Sequence, residues 1–289
     1  MGAATFLVPQ GVGDIFWVYQ KVSPFFDEVS FVIPVTGKAA ANIEERSRDI
    51  ALSWPGVKRF STLKMDRIDD FKVERLADVL RRDVNPDKVI TYGVNGWLEG
   101  GYRLEEIDPG RYVNYDVPLP MITGGLPLRG YLLVYVSGGT LAPTQEGKLW
   151  SIADWVTFID RLCYAQGIGT SLPVVLTGAS YDAPALDVLR KQLTAIGFKV
   201  AMAINWEPAR LYHLLKHAWL FAGYQSGLSI LADNLDVQQL IVYFPRIRRL
   251  ADTWVKPRNR VNGLFSWAFM SEDPKLVAEW LKVPIRPAD

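Results

Sequence analysis

Apolar residues fall alternately into short runs, typical of strands, and longer runs spaced as in amphipathic helices. Tyr131–Val136 is a short, almost wholly apolar run, whereas apolar positions in Ile152–Gln166 recur every three or four residues. This alternation is typical of an α/β chain with parallel strands. The predicted strands are Thr5–Pro9, Val29–Pro34, Val57–Leu63, Lys88–Tyr92, Tyr131–Val136, Pro173–Thr177, Lys199–Ile204, Trp219–Ala222 and Leu240–Phe244. The predicted helices are Ile15–Phe25, Asn42–Ser53, Val73–Arg82, Ile152–Gln166, Ala183–Ile196, Pro208–His217, Leu228–Asn234 and Pro274–Leu281.

A segment rich in proline and glycine, Pro118–Arg129, separates two such α/β series. It carries three prolines and two glycines and is the best candidate for a linker. The 289 residues are enough for two domains, each with its own core. We therefore expect two Rossmann-like domains facing a central cleft, residues 1–125 and 126–289, with the helix Pro274–Leu281 crossing back onto the first.

The overall charge and composition indicate an ordinary globular protein. The net charge is +1, so nothing global indicates binding to nucleic acid or to an anionic membrane. The single cysteine, Cys163, cannot form an internal disulfide, as is usual in a reducing compartment. The N-terminus lacks the basic and long apolar regions of a signal peptide, and no run reaches the ~18 apolar residues of a membrane span. We expect a soluble, cytoplasmic enzyme or binding protein.

The loops that follow strands are the places to look for chemistry, because ligands of open α/β sheets bind beyond the carboxyl ends of strands. The first such loop is Gly11-Val12-Gly13-Asp14. Its glycines permit a tight turn, and the Asp14 carboxylate is suited to accept a proton from an attacking hydroxyl. An aspartate here is equally suited to cap the following helix. A dinucleotide fingerprint, GxGxxG, would need glycine at position 16, which is Phe16.

Two loops of the second half have the features of anion sites. Ser137-Gly138-Gly139-Thr140 follows a strand, and Lys148 comes soon after it. Small residues and an ammonium group suit a phosphate, although a solvated surface lysine explains the pattern as well. Gly223–Leu228 joins a strand to an apolar helix, with Ser226 as the predicted N-cap. Amides at such a helix N-terminus bind anions, although an ordinary capped helix would look the same.

Other candidates are weaker. His213 and His217 are spaced i, i+4 on a helix, but no third ligand accompanies them, so packing is the better interpretation. Asp69-Asp70 does not form a DxD metal motif. Most of the ten tryptophans fall at amphipathic positions typical of a core, whereas Trp97 and Trp206 each follow a strand.

Taken together, four segments resemble the heptosyltransferase-type glycosyltransferases, the family of the ADP-heptose:lipopolysaccharide transferases. Gly11–Ile15 resembles the family's G-x-G-D turn, and Lys148-Leu149-Trp150 its K-x-W segment. Thr177–Asp182 is similar to its W-G-x-x-x-E stretch, and Gly223–Leu228, followed by Ala232, to its D-[ST]-G-x-x-H-L-A motif. The resemblance extends along most of the chain. Gln225 stands where the family usually has aspartate, and Ile230 where it has histidine.

The resemblance implies a GT-B fold and an enzyme that passes a sugar from a nucleotide-sugar to a hydroxyl acceptor, with inversion and without a cofactor or essential metal. It makes Asp14 the general base and Lys148 a contact of the donor phosphates. Together with the loops described above, the predicted donor-binding residues are Gly139, Thr140, Gly178, Asp182, Glu207, Gln225, Ser226 and Gly227. The predicted acceptor-side residues are Gly11, Gly13 and Trp97.

The acceptor is left open among a glycan, a glycolipid and a modified nucleotide. A basic cluster is a candidate contact for an anionic acceptor such as DNA: Arg246, Arg248, Arg249, Lys256, Arg258 and Arg260. It is equally suited to an anionic glycolipid or to solvent. An inactive nucleotide-sugar-binding module of the same fold is a further alternative, suggested by Gln225 and Ile230. A nucleotide-sugar epimerase would need further cleft carboxylates, which the sequence does not reveal.

Overall fold

The computed structural model describes residues 2–8, 11–36, 41–65, 89–91, 115–123, 130–136, 150–243, 254–281 and 283. The chain divides into two compact units, Met1–Pro120 and Met121–Asp289. The division lies within the Pro/Gly-rich segment in which the sequence predicts a linker. The predicted helix Val73–Arg82 lies outside the described residues.

The first unit is built on a parallel sheet. The described strands are β1 (Ala3–Leu7), β2 (Glu28–Thr36), β3 (Val57–Met65) and β4 (Val89–Thr91), in the order β3-β2-β1-β4. The described helices are α1 (Val12–Val22) and α2 (Ala41–Leu52). Buried aromatic rings join these layers, with the Trp54 ring centroid 4.8 Å from that of Phe16 and 5.1 Å from that of Tyr19. Burial of such large rings supplies most of the driving force for packing α1 here.

The second unit is a larger parallel sheet with helices on both faces. Its described strands are β5 (Tyr131–Tyr135), β6 (Val174–Gly178), β7 (Val200–Ile204), β8 (Ala218–Tyr224), β9 (Gln239–Tyr243) and β10 (Phe265–Phe269). Its described helices are α3 (Ile152–Ala165), α4 (Ala183–Ala195), α5 (Pro208–Lys216), α6 (Gly227–Asn234), α7 (Pro257–Val261) and α8 (Pro274–Trp280). The strand order is β10-β9-β8-β5-β6-β7.

This order is that of a Rossmann sheet. Counted within the unit, the six strands run 3-2-1-4-5-6, so the direction of winding reverses between β5 and β8. Strands β5, β6, β8 and β9 are buried along their whole length, which explains why their sequences are nearly all apolar. Helices α3, α4 and α8 share one hydrophobic cluster with the sheet, and α5 and α6 pack against β8 and β9. The predicted α/β class with Rossmann-like sheets is confirmed.

Helix α8 packs on α3, and Val277 and Ala278 are buried in the second unit's own core. The expected crossing of this helix onto the first domain stays a prediction. The carbonyl of Leu281 also accepts a hydrogen bond from Gln166 Nε2. The sequence misses α7 and β10. Strand β10 is only partly buried, so it has no continuous apolar run, and α7 is only five residues long.

Candidate active site

Asp14 lies at the ligand-binding edge of the first sheet. Strand β1 has β2 on one side and β4 on the other, so the winding reverses beside β1. Ligands of open α/β sheets bind at the carboxyl ends of strands at such a point. Asp14 follows β1 and belongs to the first turn of α1.

The N-cap of α1 is Gly11, and not Asp14. The helix begins at Val12, three residues earlier than predicted, and the Ile15 amide donates to the Gly11 carbonyl over 3.1 Å. The Asp14 side chain lies close to this cap. A Cβ atom on residue 11 would be only 2.8 Å from Asp14 Oδ2. Glycine at position 11 therefore leaves room for the carboxylate. Asp14 is not the N-cap residue that one of the two sequence interpretations required.

Burial changes the acidity of Asp14. The next residues in the sequence, Ile15 and Phe16, are fully buried. Desolvation raises the pKa of the Asp14 carboxyl from its ordinary value of 3.8 to about 6. Such a carboxylate is largely ionised at neutral pH and is a stronger base than an exposed one. Raised pKa values are common among catalytic carboxylates.

At the switch point of the second sheet, β5 and β8 approach each other closely. Gly223 pairs with Tyr135 near the carboxyl ends of these strands. A Cβ atom on residue 223 would lie 2.5 Å from the Tyr135 carbonyl oxygen and 3.1 Å from its Cβ. Only glycine allows the two strands to come this close. Their closeness fixes where the chain leaves the sheet toward Gln225–Gly227.

The turn after β8 presents a helix N-terminus with unpartnered polar atoms. Ser226 is the N-cap of α6, with an extended backbone, and Gly227 is the first helical residue. The Ser229 hydroxyl donates to the Ser226 carbonyl over 2.7 Å and accepts from the Ser226 amide over 3.1 Å. Ser226 Oγ and Gln225 Oε1 are buried and have no hydrogen-bond partner among the described residues. The Ser226 hydroxyl and the first amides of α6 are donors that suit an anion, whereas Gln225 Oε1 is an acceptor that suits a ligand hydroxyl.

The turn after β6 is held by its own side chains. Asp182 is 1% exposed, and its Oδ2 accepts a hydrogen bond from the Ala179 amide over 2.9 Å. A Cβ atom on Gly178 would lie 2.8 Å from this Oδ2 atom. In this arrangement Asp182 and Gly178 shape the turn. The predicted role of Asp182 as a donor contact stays a prediction, and its burial weighs against it.

Asn205, which the sequence analysis did not select, joins the turns after β6 and β7. Its backbone has a φ of 52°, and its Oδ1 accepts from the Ser180 amide over 3.0 Å. Asparagine tolerates this left-handed conformation better than most residues, which is the only signal that the sequence carries. The neighbouring Glu207 is exposed at the start of α5, where a ligand can reach it. The Trp206 ring is paired with the Arg210 guanidinium at 5.1 Å.

Four of the predicted site residues lie outside the described residues: Gly139, Thr140, Lys148 and Trp97. Their roles stay predictions. Gly13 is buried inside α1, next to Asp14.

The described part of the basic cluster is engaged in contacts within the protein. Lys256 is 3% exposed, and its Nζ donates to Asp236 Oδ1 over 2.7 Å and to the Asn234 carbonyl over 3.0 Å. Arg258 pairs with the other Asp236 oxygen at 2.7 Å. Asp236 lies between α6 and the first residue of β9, at the amino end of the sheet. The expectation that Lys256 contacts an anionic acceptor is therefore wrong, because this lysine is buried and faces away from the ligand edge.

A second buried carboxylate, Asp233, anchors the same segment. Its two oxygens accept from the Lys256 amide and from Asn259 Nδ2, each over 2.9 Å. Desolvation raises the pKa of the Asp233 carboxyl to about 6, and the hydrogen bonds from Asn259 and Lys256 oppose that rise. Asp233 thus has the same raised pKa as Asp14, but it is at the opposite end of its sheet from the ligand edge and is fully hydrogen-bonded.

No metal-binding cluster of three or more His, Cys, Asp or Glu side chains occurs among the described residues. His213 is buried, and its ring centroid lies 4.3 Å from that of His217, which agrees with the packing interpretation. Within the same parts of the chain, no helix has the length and apolar character needed to cross a membrane.

Solved glycosyltransferase structures resemble this chain over nearly its whole length. ADP-heptose LPS heptosyltransferase II of E. coli is 11% identical, with a TM-score of 0.59, and the match covers 96% of this chain and 97% of that one. E. coli heptosyltransferase WaaC with ADP is 15% identical, with a TM-score of 0.57 and coverage of 97% and 98%. A family 9 glycosyltransferase from Veillonella parvula is 12% identical, with a TM-score of 0.54 and coverage of 92% and 86%. No protein-family model and no curated protein matches the chain.

The chain has the fold of these heptosyltransferases. This is the GT-B fold that the sequence resemblance implies, and that part of the prediction is confirmed. At identities of 11% to 15%, the likeness establishes the fold, and the activity has to be argued from the site residues.

Proposed function

We propose that the protein is a glycosyltransferase that moves a sugar from a nucleotide-sugar to a hydroxyl acceptor by direct, inverting displacement. The observation that carries this proposal is the carboxylate of Asp14, whose pKa is raised to about 6 at the carboxyl end of β1. A base of this strength is ionised at neutral pH, and its conjugate acid is strong enough to release the proton again. These are the properties that general-base catalysis requires.

In the proposed reaction, Asp14 removes the proton of the acceptor hydroxyl as its oxygen attacks the anomeric carbon. A new C–O bond forms on one face of the sugar while the bond to the diphosphate breaks on the other. The electron pair of the broken bond leaves with the nucleoside diphosphate, and the proton remains on Asp14. A single base and no second carboxylate suffice for such a displacement.

The leaving diphosphate carries the charge that must be stabilised. The turn after β8 offers the first amides of α6 and the buried hydroxyl of Ser226, which has no hydrogen-bond partner among the described residues. Amides at a helix N-terminus favour negative charge, and a preorganised site spends no energy on reorientation during the reaction. We assign the diphosphate to this turn, with Lys148 as a further cationic contact. Because these groups supply the stabilisation, the reaction is proposed to need no metal ion.

The similar structures suggest which nucleotide-sugars to test first as donors. One of them is a complex with ADP, so ADP-linked sugars are the first donors to test. Gln225 stands where the resembling family usually has aspartate, and a neutral amide is compatible with a different sugar. Glu207, exposed beyond β7, is proposed to lie near the nucleoside.

Of the alternative acceptors, nucleic acid receives the least support from the described residues. Lys256 is buried and Arg258 is paired with Asp236, so neither offers an unpaired cation to a phosphate backbone. We therefore propose a glycan or glycolipid acceptor. An inactive binding module with the same donor site remains the alternative that an activity assay decides.

The test is a panel of nucleotide-sugars with different bases and sugars, each measured by thermal shift and by slow release of nucleoside diphosphate. We expect at least one to raise the melting temperature and to be hydrolysed in the presence of EDTA. Binding without hydrolysis or transfer to any acceptor would favour the inactive module. A panel that binds nothing would contradict the proposal.

A further inference from the structure

The ligand edge of the second sheet contains a buried chain of hydrogen bonds that the proposed mechanism does not use. The Trp155 indole nitrogen donates to the Tyr224 hydroxyl over 3.1 Å, and this hydroxyl donates to the Trp150 carbonyl over 2.9 Å. The Trp150 indole nitrogen in turn donates to the Glu272 carbonyl over 3.1 Å. Tyr224 ends β8, Trp150 precedes α3, and Glu272 follows β10. These hydrogen bonds therefore join segments that follow different strands at the same edge of the sheet.

Tyr224 is the centre of this chain. It is 3% exposed, and its ring packs edge-on against Trp155 with centroids 5.4 Å apart. Its hydroxyl accepts one hydrogen bond and donates another, so both of its partners depend on this single oxygen. Phenylalanine has the same ring and would leave the Trp155 N–H and the Trp150 carbonyl without that partner inside the core, which is unfavourable.

Tyr224 comes immediately before the turn that is proposed to bind the diphosphate, so its hydrogen bonds affect the position of that turn. The next residues are Gln225, Ser226 and Gly227, and the Ser226 hydroxyl and the first amides of α6 belong to the proposed anion-binding turn. Gly223 and Tyr224 both precede this turn. Gly223 holds the end of β8 close to β5, since no Cβ atom fits there, and the Tyr224 hydroxyl ties this strand end to Trp155 of α3 and to the Trp150 carbonyl. At its other end the turn runs into α6, whose Leu228 is buried. A short turn that is held at both ends has little freedom to move away from its ligand.

We propose that Tyr224 is a positioning residue for the donor: its hydroxyl, held between Trp155 and Trp150, keeps the Gln225–Gly227 turn where it binds the donor diphosphate. This inference rests on the proposed function. It assigns Tyr224 no contact with the substrate and no proton transfer. Burial raises the pKa of Tyr224 to about 12, so the hydroxyl keeps its proton throughout the range in which enzymes are assayed. Its effect on binding should therefore be the same at every such pH.

The experiment compares Tyr224→Phe with a matched control, Tyr131→Phe. Tyr131 is also fully buried in this sheet, and its hydroxyl donates to the Leu214 carbonyl, but it begins β5 and is thus at the opposite end of the strands. Dissociation constants for ADP and UDP are measured by calorimetry, well below the melting temperature of every variant. These probes share the diphosphate and differ in the base.

We expect Tyr224→Phe to weaken both nucleotides by the same factor, about 3- to 10-fold, the usual effect of one buried hydrogen bond. Tyr131→Phe should lower the melting temperature comparably and leave both dissociation constants unchanged. Unchanged binding in Tyr224→Phe, or equal weakening in both variants, would overturn the inference while leaving the proposed function intact. A wild-type protein that binds neither nucleotide, nor any nucleotide-sugar, would overturn both.

A second variant covers the case in which Tyr224→Phe does not fold. Trp155→Phe removes the indole donor to the Tyr224 hydroxyl and keeps the hydrogen bond from that hydroxyl to Trp150. We expect weaker ADP binding, by about twofold or more, since the hydroxyl loses one of its two partners. ADP binding equal to that of the wild type would overturn the inference.

Discussion

Asp14→Asn replaces a half-buried carboxylate in the first turn of α1 with a neutral amide of the same size. Because the pKa of Asp14 is raised from 3.8 to about 6, the folded protein binds a proton here more tightly than the unfolded chain does. Between these two values, stability falls as the pH rises, and above pH 6 the full cost of holding the ionised carboxylate is present. The difference between the two pKa values corresponds to about 3 kcal/mol, an upper value because the side chain is partly exposed.

The substitution should therefore make the protein more stable and less active. At pH 7.5 we expect the free energy of unfolding of Asp14→Asn to exceed that of the wild type by about 1–3 kcal/mol. Near pH 4 the difference should largely disappear, since the wild-type carboxyl is then protonated. The transfer rate should fall by about 10²- to 10⁴-fold, the usual contribution of a general base. Urea denaturation at several pH values and a steady-state assay measure the two quantities.

Asp233→Asn is the matched control, because burial raises the pKa of Asp233 to about 6 as well. Both Asp233 oxygens accept hydrogen bonds from protein donors, and asparagine can replace only one of those acceptors. The lost acceptor opposes the gain from removing the buried charge, so we expect a smaller change in stability than in Asp14→Asn and an unchanged transfer rate. A less stable Asp14→Asn variant with normal turnover would refute the assignment of Asp14 as the base.

The remaining predictions concern the pH profile, the metal requirement and two structural contacts. The value of kcat/KM should decline as the pH falls below about 6, the pKa of Asp14, and Asp14→Asn should not show this decline. The same pH profile in both proteins would exclude Asp14 as the general base. Dialysis against EDTA should leave the transfer rate unchanged, and loss of activity that Mn²⁺ restores would contradict metal independence. Gly223→Ala should lower stability by about 1–3 kcal/mol and weaken nucleotide binding, because its Cβ atom would meet the Tyr135 carbonyl oxygen at 2.5 Å; Gly2→Ala, with no atom within 4 Å, is the control for thermal denaturation. Lys256→Ala should lower stability by about 1–3 kcal/mol, since Asp236 loses a buried partner, and should leave the Kd for ADP unchanged.

The sequence predicts the strands of the second sheet well where burial is complete. β5, β6, β8 and β9 lie between helices, so their apolar runs are continuous and their bounds can be found within one or two residues. β10 is partly exposed, so its signal is weaker. The apolar face of α8 predicts burial, but the sequence does not say whether α3 or the first domain covers it.

The candidate site is predictable only where local sequence determines it. The glycines and Asp14 stand out because a strand, a turn and a helix follow one another directly in the sequence. Tyr224, by contrast, has partners 69 and 74 positions away, and nothing near it in the sequence indicates them. The charge of Lys256 suggests a surface role, whereas its contact with Asp236, 20 positions away, buries it. Contacts between distant segments depend on the whole fold, so the sequence pattern alone does not reveal them.

The most direct test of the central claim is nucleoside diphosphate release from the nucleotide-sugar that binds best, measured for wild type and Asp14→Asn side by side in EDTA. If the account is correct, the wild type releases the nucleoside diphosphate. The variant binds the donor with the same affinity and releases the diphosphate about 10²- to 10⁴-fold more slowly. Equal release by the two proteins, or no release by the wild type from any donor that it binds, would contradict the account.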